Sequence, residues 1–530
     1  MHFMLTGLVA TFLSVAFCQN ASSNYVVDLG YAKYRGSLNS TYTNIVNYYG
    51  IRYAAPPLND LRWQPPMDIE SHGGYSPNRV QDATTRGPTC VQGVPFWRQT
   101  TTPSGSEDCL LLDVLVPKTS ASDHIPVLVQ IHGGGYDQGN SQSNPGYMMV
   151  NQSMGNLIYV SIQYRLAVFG FLSSAEVREN GIANAGLVDQ RAALNWVQRN
   201  IRAFGGDPAK VTIIGGSAGG GSVMDQLIMY GGVSNPPFRA AIAEYPWWQS
   251  YKNNTILEAQ YRHMLSATSC DNLACLRSQT TQILIDAMQT SLISTGWESY
   301  YGWGDFYYGP AVDGDIIRDL PSNEFKRGHF AKVPLIVNRD QYEGYNYSPM
   351  DDNTPANMTR DLQTIFPYAK PSFFKRLYQL YPESDFNGTF WRRAQIYGDY
   401  IIDCPTYYMA TAYSDWGLPI WKFLFNAGSQ LHGADGPFLW GPPEAINNIT
   451  LTNILKDWYL GFVLNLDPNS ICNSGTPKPY WPQYQAPTNA SSDIDFSIMS
   501  INYTMMGVTP DVDANSRCDF FHGQSYVVRN

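Results

Sequence analysis

The sequence predicts an α/β protein built on a large, mostly parallel central sheet with helices on both faces. Between Ile125 and Tyr230, short apolar runs of strand composition alternate with segments of helical period, the pattern of parallel strands joined by crossover helices. The chain has 530 residues, 44% of them hydrophobic, enough to cover such a sheet on both sides. It contains neither an internal repeat nor a low-complexity linker, so residues 19–530 read as one continuous domain.

At the N-terminus, residues 1–18 carry an uncharged apolar run from Leu5 to Phe17, with small residues at Ser14 and Ala16 before Cys18. The run is too short to span a membrane and reads as a secretory signal peptide. A released, extracellular protein without a stable membrane anchor is therefore expected. Asn-x-Ser/Thr sequons begin at Asn20, Asn39, Asn151, Asn253, Asn346, Asn357, Asn387, Asn448, Asn489 and Asn502, which fits a glycosylated surface. Beyond the leader there are seven cysteines, an odd number that leaves one thiol unpaired. Charged residues make up only 15% against a typical ~25%. With 34 Lys+Arg against 44 Asp+Glu the net charge is −10, and this acidic chain without a basic stripe argues against a nucleic-acid partner.

The elements around the chemistry follow in order. Val127 to Ile131 and Leu157 to Ile162 read as strands, Asp189 to Ile201 as a helix, and Val211 to Ile214 as a buried strand. Gly215-Gly216-Ser217-Ala218-Gly219 follows directly, and Ser222 to Tyr230 can continue as a helix. A G-x-S-x-G arises by accident roughly 0.2 times in a chain this long. Between a strand and a helix, however, it is the setting of a nucleophile elbow, in which the serine occupies a strained turn and glycines avoid collision with neighbouring backbone. The alternative, a phosphate-cradling loop, lacks its lysine.

His132-Gly133-Gly134-Gly135 ends the Val127 to Ile131 strand. Consecutive glycines free backbone N–H groups to face a developing oxyanion. A serine also needs a base and an orienting acid, in the chain order Ser, acid, His. Of eight histidines, His432 and His522 lie in the appropriate region, and His432, in a glycine-flanked loop after the strand Trp421 to Phe425, is favoured. Glu343, on a loop after the apolar run Val333 to Val337, is the candidate acid, with Asp340 as competitor.

These motifs, together with Tyr49 to Ala54, Arg62-Trp63, Glu107-Asp108-Cys109, Asn184 to Leu187, Phe204 to Pro208 and Asp313-Gly314, make the sequence resemble the type-B carboxylesterase/lipase family over almost the whole mature chain. This is the cholinesterase-like branch of the α/β-hydrolase fold, and the chain is similar to its secreted fungal-type carboxylesterases. The resemblance implies Ser217 as nucleophile, His432 as general base and then acid, and Glu343 as the orienting carboxylate. It places the oxyanion hole at the N–H groups of Gly134, Gly135 and Ala218, and reads Arg62 and Glu107 as a structural ion pair. It pairs Cys90 with Cys109 and Cys270 with Cys275, while the pairing among Cys404, Cys472 and Cys518 stays open, with Cys404–Cys518 and a free Cys472 as the favoured arrangement. Two positions depart from the family: Gly216 stands where it usually has Glu, and Tyr342 where it usually has Asp.

The implied activity is a serine carboxylic-ester hydrolase working through an acyl-enzyme on a small-molecule ester, without metal or cofactor. A lipase, or a hydrolase tailoring a secondary-metabolite ester or lactone, keeps the mechanism and changes the substrate. A catalytically silent binding or adhesion protein is the alternative of another class, and the complete Ser217, Glu343, His432 set opposes it. The loop Cys90 to Cys109 is short, with Val94 to Trp97 as its apolar part, and predicts a small rim favouring soluble esters over emulsified lipid. Trp247, Trp248 and the run Trp297 to Tyr308 are candidates either for pocket lining or for packing.

Overall fold

The computed structural model describes residues 25–72, 76–98, 102–293, 301–350, 354–442, 446, 448–485 and 496–530. The expected leader, Asn20 and Asn489 lie outside them. A three-stranded sheet is formed by β1 (Val26–Asp28), β2 (Lys33–Arg35) and β5 (Val80–Asp82). The remaining strands form one eleven-stranded sheet. They are β3 (Ser37–Leu38), β4 (Ile45–Arg52), β6 (Leu111–Pro117), β7 (Ile125–Ile131), β8 (Ile158–Ile162) and β9 (Gly206–Gly216), followed by β10 (Ala240–Glu244), β11 (Leu335–Asp340), β12 (Ile420–Phe425), β13 (Ser497–Ile501) and β14 (Met506–Pro510). The spatial order is β14-β13-β12-β11-β10-β9-β7-β8-β6-β4-β3. Strands β13 through β8 run parallel, and both margins are antiparallel.

Burial on both faces explains why these strands lack polar alternation. Val127, Val129 and Ile131 of β7, with Ile213 of β9 and Ala241 of β10, enter one core. Leu128, Ile214 and Ile242, one residue out of step, enter the other. Helices Ala185–Asn200 and Ala218–Gly232 cover the first face through Leu187, Trp196, Val223 and Leu227. Helices Gly436–Trp440 and Ile449–Asn465 cover the second through Leu439 and Trp458. Each fully buried aliphatic side chain contributes about 1.5–3 kcal/mol.

The helix expected from Asp189 begins earlier, at Ala185, and buries Asp189 within it. Its carboxylate accepts both Nε and Nη2 of Arg165 at 2.7 Å, tying this helix to the chain leaving β8. The strand expected over Val211 to Ile214 is the buried part of the longer β9.

This topology places the site. From β7 the chain moves to β8 on one side, while β9 lies on the other, so the strand order reverses at β7 and β9. Ligands of open α/β sheets bind outside the carboxyl ends of strands at such a switch point. Ile131 pairs with Gly215 there, so the loops leaving β7 and β9 emerge side by side.

Disulfides join Cys90 to Cys109, Cys270 to Cys275 and Cys404 to Cys518, and Cys472 is an exposed free thiol. No helix among the described residues is long and apolar enough to cross a membrane. Arg62 and Glu107 form a buried two-pronged pair, with Nε to Oε2 and Nη2 to Oε1 both 2.7 Å. Glu107→Ala would leave the Arg62 guanidinium buried without its partner. It is expected to lower stability by about 3–5 kcal/mol, read as a shift of the urea midpoint, while the folded fraction keeps its activity per site.

Candidate active site

Ser217 joins β9 to helix Ala218–Gly232 with φ 59° and ψ −128°, a conformation that side chains rarely adopt and that costs about 1–3 kcal/mol. The end of β10 holds it there. Ser217 N–H donates to Glu244 C=O at 3.1 Å, and Trp247 N–H donates to Ser217 C=O at 3.0 Å. The flanking glycines are steric necessities: a β-carbon on Gly215 would lie 2.4 Å from Gly219 O, and one on Gly219 would lie 2.2 Å from Ile131 O. Ala218 begins the helix, so its N–H has no carbonyl partner within the helix.

Gly133 packs directly against this turn, where a β-carbon would meet Gly216 O at 2.5 Å and Ser217 Cβ at 3.1 Å. Gly134 and Gly135 follow at φ 115° and 66°. His132 is fully buried and stacks on Tyr164 at 4.4 Å, and burial lowers its pKa to about 4, so it anchors the loop as a neutral ring.

The acid and the base come from loops after β11 and β12. Tyr342 N–H donates to Gln430 C=O at 2.9 Å and fastens one loop to the other. Across that junction His432 Nδ1 meets Glu343 Oε2 at 2.5 Å, while Glu343 Oε1 accepts Asp340 N–H at 2.6 Å. His432 Nε2 is buried and has no hydrogen-bond partner. Asp340, the competing acid, is occupied elsewhere: its Oδ2 accepts the N–H groups of Gly433 and Ala434 at 2.7 and 3.1 Å. His522 packs edge-on against Tyr408 at 4.2 Å and does not border the Ser217 cavity.

Ser217 and His432 line one open cavity of about 670 Å³ together with Gly133, Gly134, Tyr245 and Tyr347, a volume suited to a small organic ligand. Tyr245 and Tyr347 are the residues that sequence reasoning missed. Both rings meet His432 edge-on, at 4.9 and 5.1 Å. Burial raises the pKa of Tyr347, and a hydrogen bond to the Ser217 side chain opposes the shift. Tyr245 accounts for the departure at position 216, because a β-carbon on Gly216 would lie 2.4 Å from its hydroxyl.

Several pocket candidates take other places. Trp247 is fully buried and backs His432 at 5.9 Å without lining the cavity, and Trp248 is fully buried and stacks on Phe325. Within the aromatic run, residues 297–300 lie outside the described ones. Tyr301 and Trp303 line a separate cavity of about 560 Å³ that also includes the sequon residues Asn346 and Asn357. In the short loop, Trp97 is pinned between Phe306 and Tyr347 and donates to Asp305 C=O at 2.7 Å, while Arg98 borders the Ser217 cavity.

Buried acids surround Glu343 and His432. Burial, and then Asp435, push the Glu244 carboxyl up. Burial, and then Asp435 and Glu343, do the same to Asp340. Burial raises Asp435 from 3.8 to about 7 against the opposing hydrogen bond from Asn338.

The fold and this arrangement define an α/β-hydrolase that cleaves carboxylic esters. The chain belongs to the carboxylesterase family, whose family model matches residues 23–518. It is 29% identical to carboxylesterase patB of Aspergillus clavatus, over 94% of this chain and 95% of that protein. It is 31% identical to secreted lipase 1 of Botryotinia fuckeliana, over 83% of this chain and 84% of that protein. Among solved structures it is similar to EstA of Aspergillus niger, with a TM-score of 0.82 and 26% identity over 95% of this chain and 99% of that one.

Two expectations follow. Gly216→Glu should overpack the Tyr245 hydroxyl at a cost of about 1–3 kcal/mol and depress kcat/KM accordingly, and Gly216→Glu combined with Tyr245→Ser should recover part of the loss. The folded state keeps the Asp435 proton that the unfolded chain releases, so wild-type stability should fall as pH rises from 3.8 to about 7. Asp435→Asn should flatten that slope in urea midpoints measured across the same window.

Proposed function

We propose that the protein is a secreted serine carboxylic-ester hydrolase acting through an acyl-enzyme on soluble or moderately apolar esters. The observation that carries the reading is the His432 Nδ1 to Glu343 Oε2 hydrogen bond, which leaves Nε2 as the ring nitrogen without a partner in a cavity shared with Ser217.

In the proposed reaction Ser217 Oγ attacks the ester carbonyl as His432 Nε2 takes its proton, and Glu343 stabilises the resulting imidazolium. The N–H groups of Gly134, Gly135 and Ala218 receive the developing oxyanion, each such donor being worth about 2.7–4 kcal/mol. His432 then returns the proton to the departing alcohol. Water, activated by the same ring, attacks the acyl carbonyl and releases the carboxylic acid and Ser217. Ser217, His432 and Gly134 line the cavity, and Glu343 acts on it through His432.

The uncharged leader, the sequons, the disulfides and the similarity to a secreted lipase support release from the cell. Of the described sequons, Asn151, Asn346 and Asn387 are exposed, and Asn39, Asn253, Asn357, Asn448 and Asn502 are half-buried. A rim built on the pinned Trp97 supports compact soluble esters rather than emulsified triacylglycerol.

Ser217→Ala should lower kcat for a p-nitrophenyl ester by about 10⁴-fold or more, and Glu343→Gln by about 10⁴-fold. Across p-nitrophenyl esters from acetate to palmitate, activity should peak at short chains. A maximum at palmitate would favour the lipase reading instead.

A further inference from the structure

Charge is distributed unevenly around the ester cavity. The chain carries a net charge of −10, yet no Asp, Glu or Lys lines this cavity among the described residues. Glu244, Asp340, Glu343 and Asp435 are buried and form no part of its wall. His432 apart, Arg98 is the one wall residue there whose side chain carries charge. Arg98 is exposed and enters no ion pair among the described residues. Its guanidinium has a single polar contact, Nη1 donating to Gln138 Oε1 at 3.4 Å. Arg86 shows the contrast. It donates to the hydroxyl of Tyr147, another wall residue, at 3.2 Å, but Asp113 neutralises it.

The backbone that carries Arg98 is fixed. Its N–H donates to Pro95 C=O at 2.9 Å, and the neighbouring Trp97 packs against Phe306 and Tyr347. The guanidinium also acts on the reacting end of the cavity. Burial raises the Tyr347 hydroxyl and the charge of Arg98 opposes that rise, while the same hydroxyl is hydrogen-bonded to the Ser217 side chain. Gln138, Ser143 and Asn144 add neutral hydrogen-bonding side chains to the wall.

A cavity holding an uncompensated guanidinium and no carboxylate attracts anions and disfavours cations. The planar fork of arginine matches a carboxylate with two parallel N–H···O bonds. From this we infer that Arg98 is a specificity-determining residue and that the esters this protein prefers carry a free carboxylate, bound by that guanidinium. The kinetic consequence rests on the hydrolase reading of the cavity; the binding of the carboxylate does not.

Two matched pairs of esters, each differing by one methyl cap, test the inference on the full-length protein. The compounds 4-(acetoxymethyl)benzoate and its methyl ester place the charge on the alcohol. The second pair, 4-nitrophenyl hydrogen adipate and 4-nitrophenyl methyl adipate, places it on the acyl chain. In at least one pair the ratio of kcat/KM, anionic over neutral, should be roughly fivefold higher in wild type than in Arg98→Gln, with Arg98→Lys between them. Raising the salt from about 0.02 to 0.5 M should depress kcat/KM for the anionic member of that pair more than for the neutral one. A ratio that Arg98→Gln leaves unchanged in both pairs would overturn the inference, as would a wild-type ratio insensitive to salt. Calorimetric titration of Ser217→Ala with the same four esters needs no catalysis. One of the anions should bind severalfold tighter to it than to Ser217→Ala combined with Arg98→Gln. Equal binding of both anions to the two proteins would overturn the inference and leave the hydrolase reading standing. Tighter binding without hydrolysis by the wild type would support the carboxylate site and contradict the hydrolase reading.

Discussion

The functional end of this protein depends on the backbone of Ser217 being held in a conformation it would not adopt alone. Its φ of 59° and ψ of −128° persist because the end of β10 clamps the residue on both sides, through Glu244 C=O and Trp247 N–H. The clamp requires β9 and β10 in parallel register, and that register requires the two alternating cores that bury Ile213, Ile214, Ala241 and Ile242. Gly133 fits beneath the turn only because it carries no side chain. Strain at one residue is thus balanced by the packing of the whole central sheet.

A second consequence concerns charge. Glu343 lies among buried acids whose carboxyls burial pushes up: Glu244, Asp340, Asp403 and Asp435. Asp340 organises the backbone of Gly433 and Ala434 while its own N–H supports Glu343. The histidine loop is therefore positioned by one acid and paired with another.

Much of this was legible in the sequence because it is written in local patterns. The strand before Ser217, the glycines around it, the His132 to Gly135 run and the helical period after Asp189 each occupy contiguous residues. The antiparallel margins of the sheet, β3, β4 and β6 on one side and β14 on the other, carry no such motif and emerge only from pairing. Tyr245 and Tyr347 were illegible for a related reason: their roles lie in edge-on contacts with His432, which is 187 and 85 positions away in the chain. Glu343 is the candidate acid in the sequence with Asp340 as competitor, and the hydrogen bonds give the two residues different partners. Trp247 and Trp248, equally aromatic in sequence, proved to be core, both being fully buried.

The central claim is that Ser217 is the nucleophile of an acyl-enzyme, and the most direct measurement is the mass-spectrometric location of a fluorophosphonate adduct on the native protein. The account predicts one adduct per chain, on the peptide containing Gly215 to Gly219, and none in Ser217→Ala. An unlabelled folded protein, or an adduct on any other residue, would contradict it.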